Sequence, residues 1–258
     1  MVSKARGTHL PFNFQLVLLP WNAREIEAAI DRYEGILPEH GWPNWVLGNH
    51  DNSRVASRVG REQARIAAML LLTLRGTPTL YYGDEIGMEN VEIPPEKVQD
   101  PQEKNIPGKN LNRDPERTPM QWDDSENAGF SEVEPWLPLM DNYQELNVKK
   151  QEKDDNSMLN FQKRLISLRN NEPVINIGDY LPVPGSGNIL SYIRKHSGKE
   201  FLIVLNLGSS EEHFTADIPD LKGVVKLATN PEIEGQQIGR EISIAGNSGF
   251  IAEINAEK

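Results

Sequence analysis

The sequence predicts an α/β fold followed by an all-β domain. Three features carry that expectation. Short apolar runs alternate with helical periodicity through the first half of the chain, a long stretch rich in Pro, Asn, Asp and Glu then interrupts it, and beyond Pro173 the helical period gives way to short β-rich runs. Strand, helix, strand, helix, strand in that order implies parallel strands joined by helical crossovers. Short strands separated by Gly, Asn, Ser and Pro imply a small antiparallel sandwich. The expected domains are residues 1–172 and 173–258, with the second expected to be separable.

Along the chain, Phe12–Val17 reads as the first strand and Ala23–Leu37 as the first long helix. Trp45–Gly48, with Asn44 at its edge, reads as the second strand. Arg61–Leu74 is apolar almost all round in its second half, as a helix wedged between other elements should be. Thr79–Tyr82 reads as a third strand. Gly87 to about Asp154 has little periodicity, and so long an insert is expected to be functional or disordered. Asp155, Asn156 and Ser157 offer a cap for a helix with Met158, Phe161, Leu165 and Leu168 at helical spacing, running to about Arg169. The later strands are expected at Ile189–Arg194, Phe201–Leu207, Val224–Leu227 and Gly249–Ile254.

Composition narrows the function classes. A formal charge of −11 argues against binding nucleic acid or an anionic membrane. The absence of cysteine removes disulfides, thiolate metal sites and cysteine nucleophiles. The run Ala67–Leu74 is too short to span a bilayer, and the basic start Met1–Gly7 has no apolar segment behind it. A cytoplasmic location is the default expectation.

Three segments could carry chemistry. Trp45–Asp51 is an apolar run that ends in Asn49, His50 and Asp51. At the C-terminal end of a parallel strand His50 and Asp51 would face a pocket, although a turn or cap would also explain them. Gly76–Glu85 turns polar through Gly83 after the tyrosines Tyr81 and Tyr82, of which an extended strand can aim only one at a lumen. Asn112–Trp122 brings Arg113 and Arg117 near Gln121 and Trp122, a set suited to a hydroxyl-rich ligand. Equally, the two arginines could brace the loop by pairing with Asp114, Glu116 or Asp123.

Order and spacing then matter. "HLPFNFQL", "WPNWVLGNHDNSR", "GTPTLYYGDEIGM", "RTPMQWD" and "NAGF" follow one another along the chain, and together they resemble glycoside hydrolase family 13, the α-amylase superfamily, in its α-glucosidase and oligo-1,6-glucosidase branch. The resemblance implies strands six to eight of a (β/α)8 TIM barrel with their helices, followed by a small antiparallel Greek-key β-sandwich. It implies that Asp51 is the family carboxylate that stabilises the oxocarbenium-like transition state, and that His50 and Arg117 bind the same sugar. Glu85 and Tyr82 are expected to be mainly structural.

The resemblance also places the family nucleophile and acid/base on strands before "HLPFNF", where residues 1–8 contain no acid. The expectation is therefore a C-terminal portion of an α-glucosidase-type hydrolase of α-linked gluco-oligosaccharides, inactive alone, with a missing N-terminal barrel half as a partner. No metal and no cofactor are expected. The alternatives are a non-catalytic homologue acting as a binding or partner subunit, like the heavy chains of amino-acid transporters, and an inactive truncated product.

Overall fold

The computed structural model describes residues 10–255. His9 and the basic start, Met1–Gly7, lie outside the described residues. Helix α1 (Gln15–Leu18) precedes α2 (Ala23–Ile36), strand β1 (Asn44–Val46), α3 (Val55–Val59), α4 (Ala64–Thr73) and strand β2 (Thr77–Thr79). The segment that follows holds α5 (Pro101–Asn105) and α6 (Val148–Gln151) among 3-10 turns, and leads to α7 (Met158–Asn171) and α8 (Pro173–Asn176). The β-rich part comprises β3 (Asp179–Val183), β4 (Ile189–His196), β5 (Lys199–Asn206), β6 (Glu212–Thr215), β7 (Gly223–Ala228), β8 (Gln237–Ile238), β9 (Glu241–Ile244) and β10 (Gly249–Ile254).

Local chemistry explains the helix ends. The Asn22 side chain accepts from the amides of Arg24 and Glu25 to start α2, which stops before Pro38. Ser157 caps α7 by accepting from Asn160 N at 3.1 Å, and Pro173 follows the end of that helix. α4 is buried along nearly its whole length, as its all-round apolar pattern requires.

β1 and β2 pair in parallel, and Asn13 makes a single parallel bridge to Trp45 on the other side of β1. The three predicted segments are thus neighbours and parallel. Phe12–Val17, however, is no strand: Asn13 Oδ1 accepts from Gln15 N at 3.0 Å, and this local bond turns the chain into α1. The helix expected from Arg61 opens as a 3-10 turn and becomes α-helical only at Ala64. The third strand lies earlier than expected, because left-handed Gly83 (φ 88°) bends the chain after the tyrosines.

The β-rich part has a six-stranded sheet in the order β3-β4-β5-β10-β7-β8, antiparallel throughout, and a two-stranded sheet β6-β9. Alternate residues go to opposite faces. Leu190, Tyr192, Phe201, Ile203, Leu205, Leu227 and Ile251 join the core built on α4 and α7, while Ile189, Leu202, Val204 and Phe250 pack with Phe214, Ile242 and Ile244 of the small sheet. One hydrophobic core therefore spans residues on both sides of Pro173. Two buried arginines tie it further. Arg169 of α7 donates to the carbonyls of Leu72, Leu74 and Gly76, and Arg194 of β4 to those of Thr73, Ile175 and Gly178. Both cap the C-terminal end of α4, where unbonded carbonyls and the helix dipole favour a cation. Burial, aided by nearby Arg169, lowers the Arg194 pKa to about 10.

Candidate functional site

β1 ends at Val46, and Asn49 makes the turn that follows. Its Oδ1 accepts from Asp51 N and Asn52 Nδ2, both at 3.0 Å, which lifts His50 and Asp51 to the surface with 64% and 46% of their side chains exposed. Beneath the turn lies Asp84: a Cβ on Gly48 would come within 2.5 Å of its Oδ2, so any larger residue there would have to displace that carboxyl group.

Two arginines from the long insert converge on one atom. Arg117 Nη2 and Arg113 Nη1 reach Asp51 Oδ1 at 3.0 and 2.9 Å, and Arg117 Nε donates to His50 O at 2.8 Å. Asp51 Oδ2 is left facing His50 Nε2 at 3.4 Å. Neither arginine pairs with Asp114, Glu116 or Asp123, so the bracing expected of those three partners is corrected. Arg113 is braced instead by Asp100, whose side chain is wholly buried. Asp100 accepts from Arg113 Nε, Nη2 and backbone N at 2.8, 3.0 and 2.9 Å, and from Gln102 N at the start of α5. The bonds from Arg113 hold the Asp100 carboxyl well below the usual carboxylate range. Asp114, also buried, accepts from the amides of Gln99 and Asp100 and so fixes the segment that carries this anchor.

The floor is aromatic and charged. Arg54, fully buried, lies 4.7 Å from the Tyr82 ring and 5.3 Å from that of Tyr81, and donates to Tyr82 O at 2.6 Å. Tyr81 OH donates to Glu116 O and Tyr82 OH to Thr118 O, so both tyrosines pin the Arg117 loop, in line with a structural role for Tyr82. Burial raises Tyr81, and it pushes the carboxyls of Asp84 and Glu116 up to about 7 each. A cation between His50, Asp51 and the arginines would meet two guanidinium groups. Among the described residues no cluster of three His, Asp or Glu side chains is placed to hold a metal ion, and no helix is long and apolar enough to cross a membrane.

Sequence reasoning singled out His50, Asp51 and Arg117, and the fold brings them together. It missed Asp100, which sits 49 positions from Asp51 in a stretch without periodicity; the buried bidentate pairing with Arg113 exists only once the insert has folded.

Comparison with known proteins follows the same geometry. Residues 3–178 match the family model described as alpha amylase, catalytic domain. Maltase A1 of Drosophila melanogaster is 37% identical over 88% of this chain and 40% of its own length. Oligo-1,6-glucosidase of Parageobacillus thermoglucosidasius is 35% identical over 87% and 45%. A human amino acid transporter heavy chain is 33% identical over 96% and 36%. Among solved structures, isomaltulose synthase from Klebsiella superposes with a TM-score of 0.85 at 25% identity, covering 96% of this chain and 51% of that one. The chain thus spans about two-fifths of the length of these curated relatives. With the matched segment reaching from the first parallel bridge through the arginine loop to the start of the antiparallel sheet, the chain belongs to the α-amylase catalytic-domain family of glycoside hydrolases.

Proposed function

We propose that this chain forms the part of an α-glucosidase-type site that grips the sugar ring, in a retaining hydrolase of α-glucosidic bonds in oligosaccharides. The observation that carries the reading is the division of labour at Asp51. Two arginines occupy Oδ1, while Oδ2 and the His50 imidazole stand at the exposed rim. A carboxylate held this way offers one oxygen to sugar hydroxyls, where it stabilises positive charge developing on the ring. His50 and Arg117 bind the same ring. The parallel strands β1 and β2 are read as strands seven and eight of a (β/α)8 barrel and the Asn13 bridge as strand six, with a Greek-key sandwich from residue 173.

Retaining hydrolysis needs two further carboxyl groups about 5–5.5 Å apart. Asp84 and Glu116 are poor substitutes: Asp84 Oδ1 is sealed from solvent, and Glu116 is buried with Oε2 bonded to Asn90. The nucleophile and acid/base are supplied by polypeptide outside this chain. The test is release of nitrophenol from a nitrophenyl α-glucoside, by the chain alone and with the N-terminal half of an oligo-1,6-glucosidase added. Turnover only in the mixture, lost in Asp51→Asn, supports the reading. Equal turnover by the Asp51→Asn mixture would sink it. A partner-subunit role, favoured by the similarity to a transporter heavy chain, predicts no turnover under either condition.

A further inference from the structure

In the seam between α2 and β3 lies a cavity of about 540 Å³. Its lining includes Glu39, shortly before β1, and Arg75, shortly before β2, so it sits at the N-terminal ends of the strands whose C-terminal ends lead to Asp51. Four carboxylates surround it: Asp31 and Glu34 on α2, Glu39 just beyond that helix, and Asp179 at the start of β3. Between them the wall is apolar, made by Leu37, Pro38, Pro182 and the half-buried ring of Tyr180.

The chain leaves this negative charge largely unmet. Arg75 is the cation in the lining, and it is already engaged: Nη1 donates to Glu34 Oε2 at 2.9 Å, Nη2 donates to Gly41 O at 2.7 Å, and the guanidinium lies 5.1 Å from the Trp42 ring. Glu34 Oε1, in a side chain only 12% exposed, has no hydrogen-bond partner. Asp31 accepts from the neutral Tyr180 hydroxyl at 2.7 Å. Asp179 and Glu39 make no ion pair among the described residues, and Lys195, opposite Asp179 in the strand register, is paired with Glu200. Glu27, Asp31 and Glu34 follow one another along one face of α2, where like charges repel. Burial raises the carboxyls of Glu27 and Glu34, and the charges of Asp31 and Asp179, respectively, push them the same way. A cleft lined by one sign of charge over apolar walls concentrates counter-ions.

The arrangement of the charges selects the kind of cation. Among the described residues no three acidic or histidine side chains converge as a metal ion requires, so these carboxylates are spread round the cavity with apolar wall between them. Spread carboxylates suit a ligand whose positive charges are also spread along an apolar chain. We propose that this cavity binds a linear polyamine, with ammonium groups on Asp31, Glu39 and Asp179 and methylene segments against Leu37, Pro182 and Tyr180. Ammonium groups donate to the carboxylates, and the face of the Tyr180 ring attracts a cation placed over it. The volume falls in the range of small-molecule sites. Because the cavity lies at the strand ends away from Asp51, the proposal is independent of the hydrolytic reading.

The experiment is a calorimetric titration of the 258-residue chain with spermidine, at about 0.15 M salt so that exposed charges are screened beyond about 8 Å. One saturable site is expected. Glu39→Gln, at an exposed position, and Asp179→Asn should each weaken it about fivefold, the size of one partly exposed ion pair, and the double variant should weaken it further. 1,4-Diaminobutane, with fewer charges, should bind more weakly than spermidine. Glu132→Gln, an exposed carboxylate outside the cavity lining, should leave binding unchanged, as should Asp51→Asn. Magnesium chloride at matched ionic strength should not displace spermidine. Several weak sites in place of one, or displacement by magnesium at matched ionic strength, would reduce the effect to a counter-ion cloud and overturn the proposal. Unaltered binding in Glu39→Gln and in the double variant, with their melting curves intact, overturns it as well.

Discussion

Asp84→Asn replaces the carboxyl group this fold least favours in its charged form. Asp84 is partly exposed as a residue, yet its Oδ1 is sealed from solvent without a partner, and burial raises the carboxyl from 3.8 to about 7 against the opposing pull of Arg54. Below about pH 4 the group is protonated in the folded and unfolded chains alike and its contribution to stability is intact. Between 3.8 and about 7 the unfolded chain ionises first, so stability falls as pH rises, and above about 7 the loss is complete. At about 1.4 kcal/mol for each pH unit, the gap amounts to at most about 4 kcal/mol, and about half that once screening at the partly exposed edge is allowed for. For a chain of this size that is about 4–16 °C in Tm. Thermal melts by circular dichroism at pH 5 and pH 8 provide the assay. The variant should exceed the wild type by about a third of the gap at pH 5, by the whole gap at pH 8, and show a shallower dependence between the two. Glu116, also pushed up to about 7, is common to both proteins and drops out of the comparison. An unchanged pH slope in the variant, or equal destabilisation at both pH values, would refute the argument.

Other outcomes follow from the same contacts. In a complemented enzyme Asp51→Asn should lower kcat about 10²–10³-fold while leaving Tm nearly unchanged, because the side chain is half exposed; parallel kinetics and melts check both. Asp100→Asn should lower kcat about tenfold or more by releasing Arg113 from its anchor, with a smaller change in KM; an unaltered kcat would show that Arg117 alone holds Asp51. Gly48→Ala should destabilise the chain and disturb the turn, since its Cβ would overlap Asp84 Oδ2 at 2.5 Å; a melt in an Asp84→Ala background, which removes that atom, shows whether the clash is relieved. Leu70→Ala, at a fully buried position on α4, should cost about 2–5 kcal/mol by denaturant titration.

Much of this was legible because it is local. The apolar periodicity of α2, α4 and α7 and the strand at Gly249–Ile254 follow from patterns within a dozen residues. Phe12–Val17 misled because its apolar pattern suits a strand, while the deciding interaction is a single side-chain bond from Asn13. Strands β3, β6, β8 and β9 were missed for another reason. β3 and β8 lie at the edges of the large sheet, β6 and β9 form the small one, all four are short, and β3 even carries Pro182, which an edge tolerates. The site divides the same way. His50, Asp51 and Arg117 stand in motifs, whereas Asp100 gains meaning only from Arg113, 13 positions further along the chain.

The clamp on α4 has a consequence for the order of events during synthesis. The carbonyl of Thr73 is bonded by Arg194, 121 positions later, and that of Leu72 by Arg169, 97 positions later. At about 5–20 residues per second, the most apolar helix of the molecule waits about 6–24 s for the second of its capping cations to be translated. Until then the Thr73 carbonyl has only water to satisfy it, and the core that α4 shares with Phe201, Ile203 and Leu205 is incomplete. Native docking of α4 is thus postponed until β4 has left the ribosome, and a nascent chain stalled anywhere before Arg194 presents this helix to chaperones and proteases.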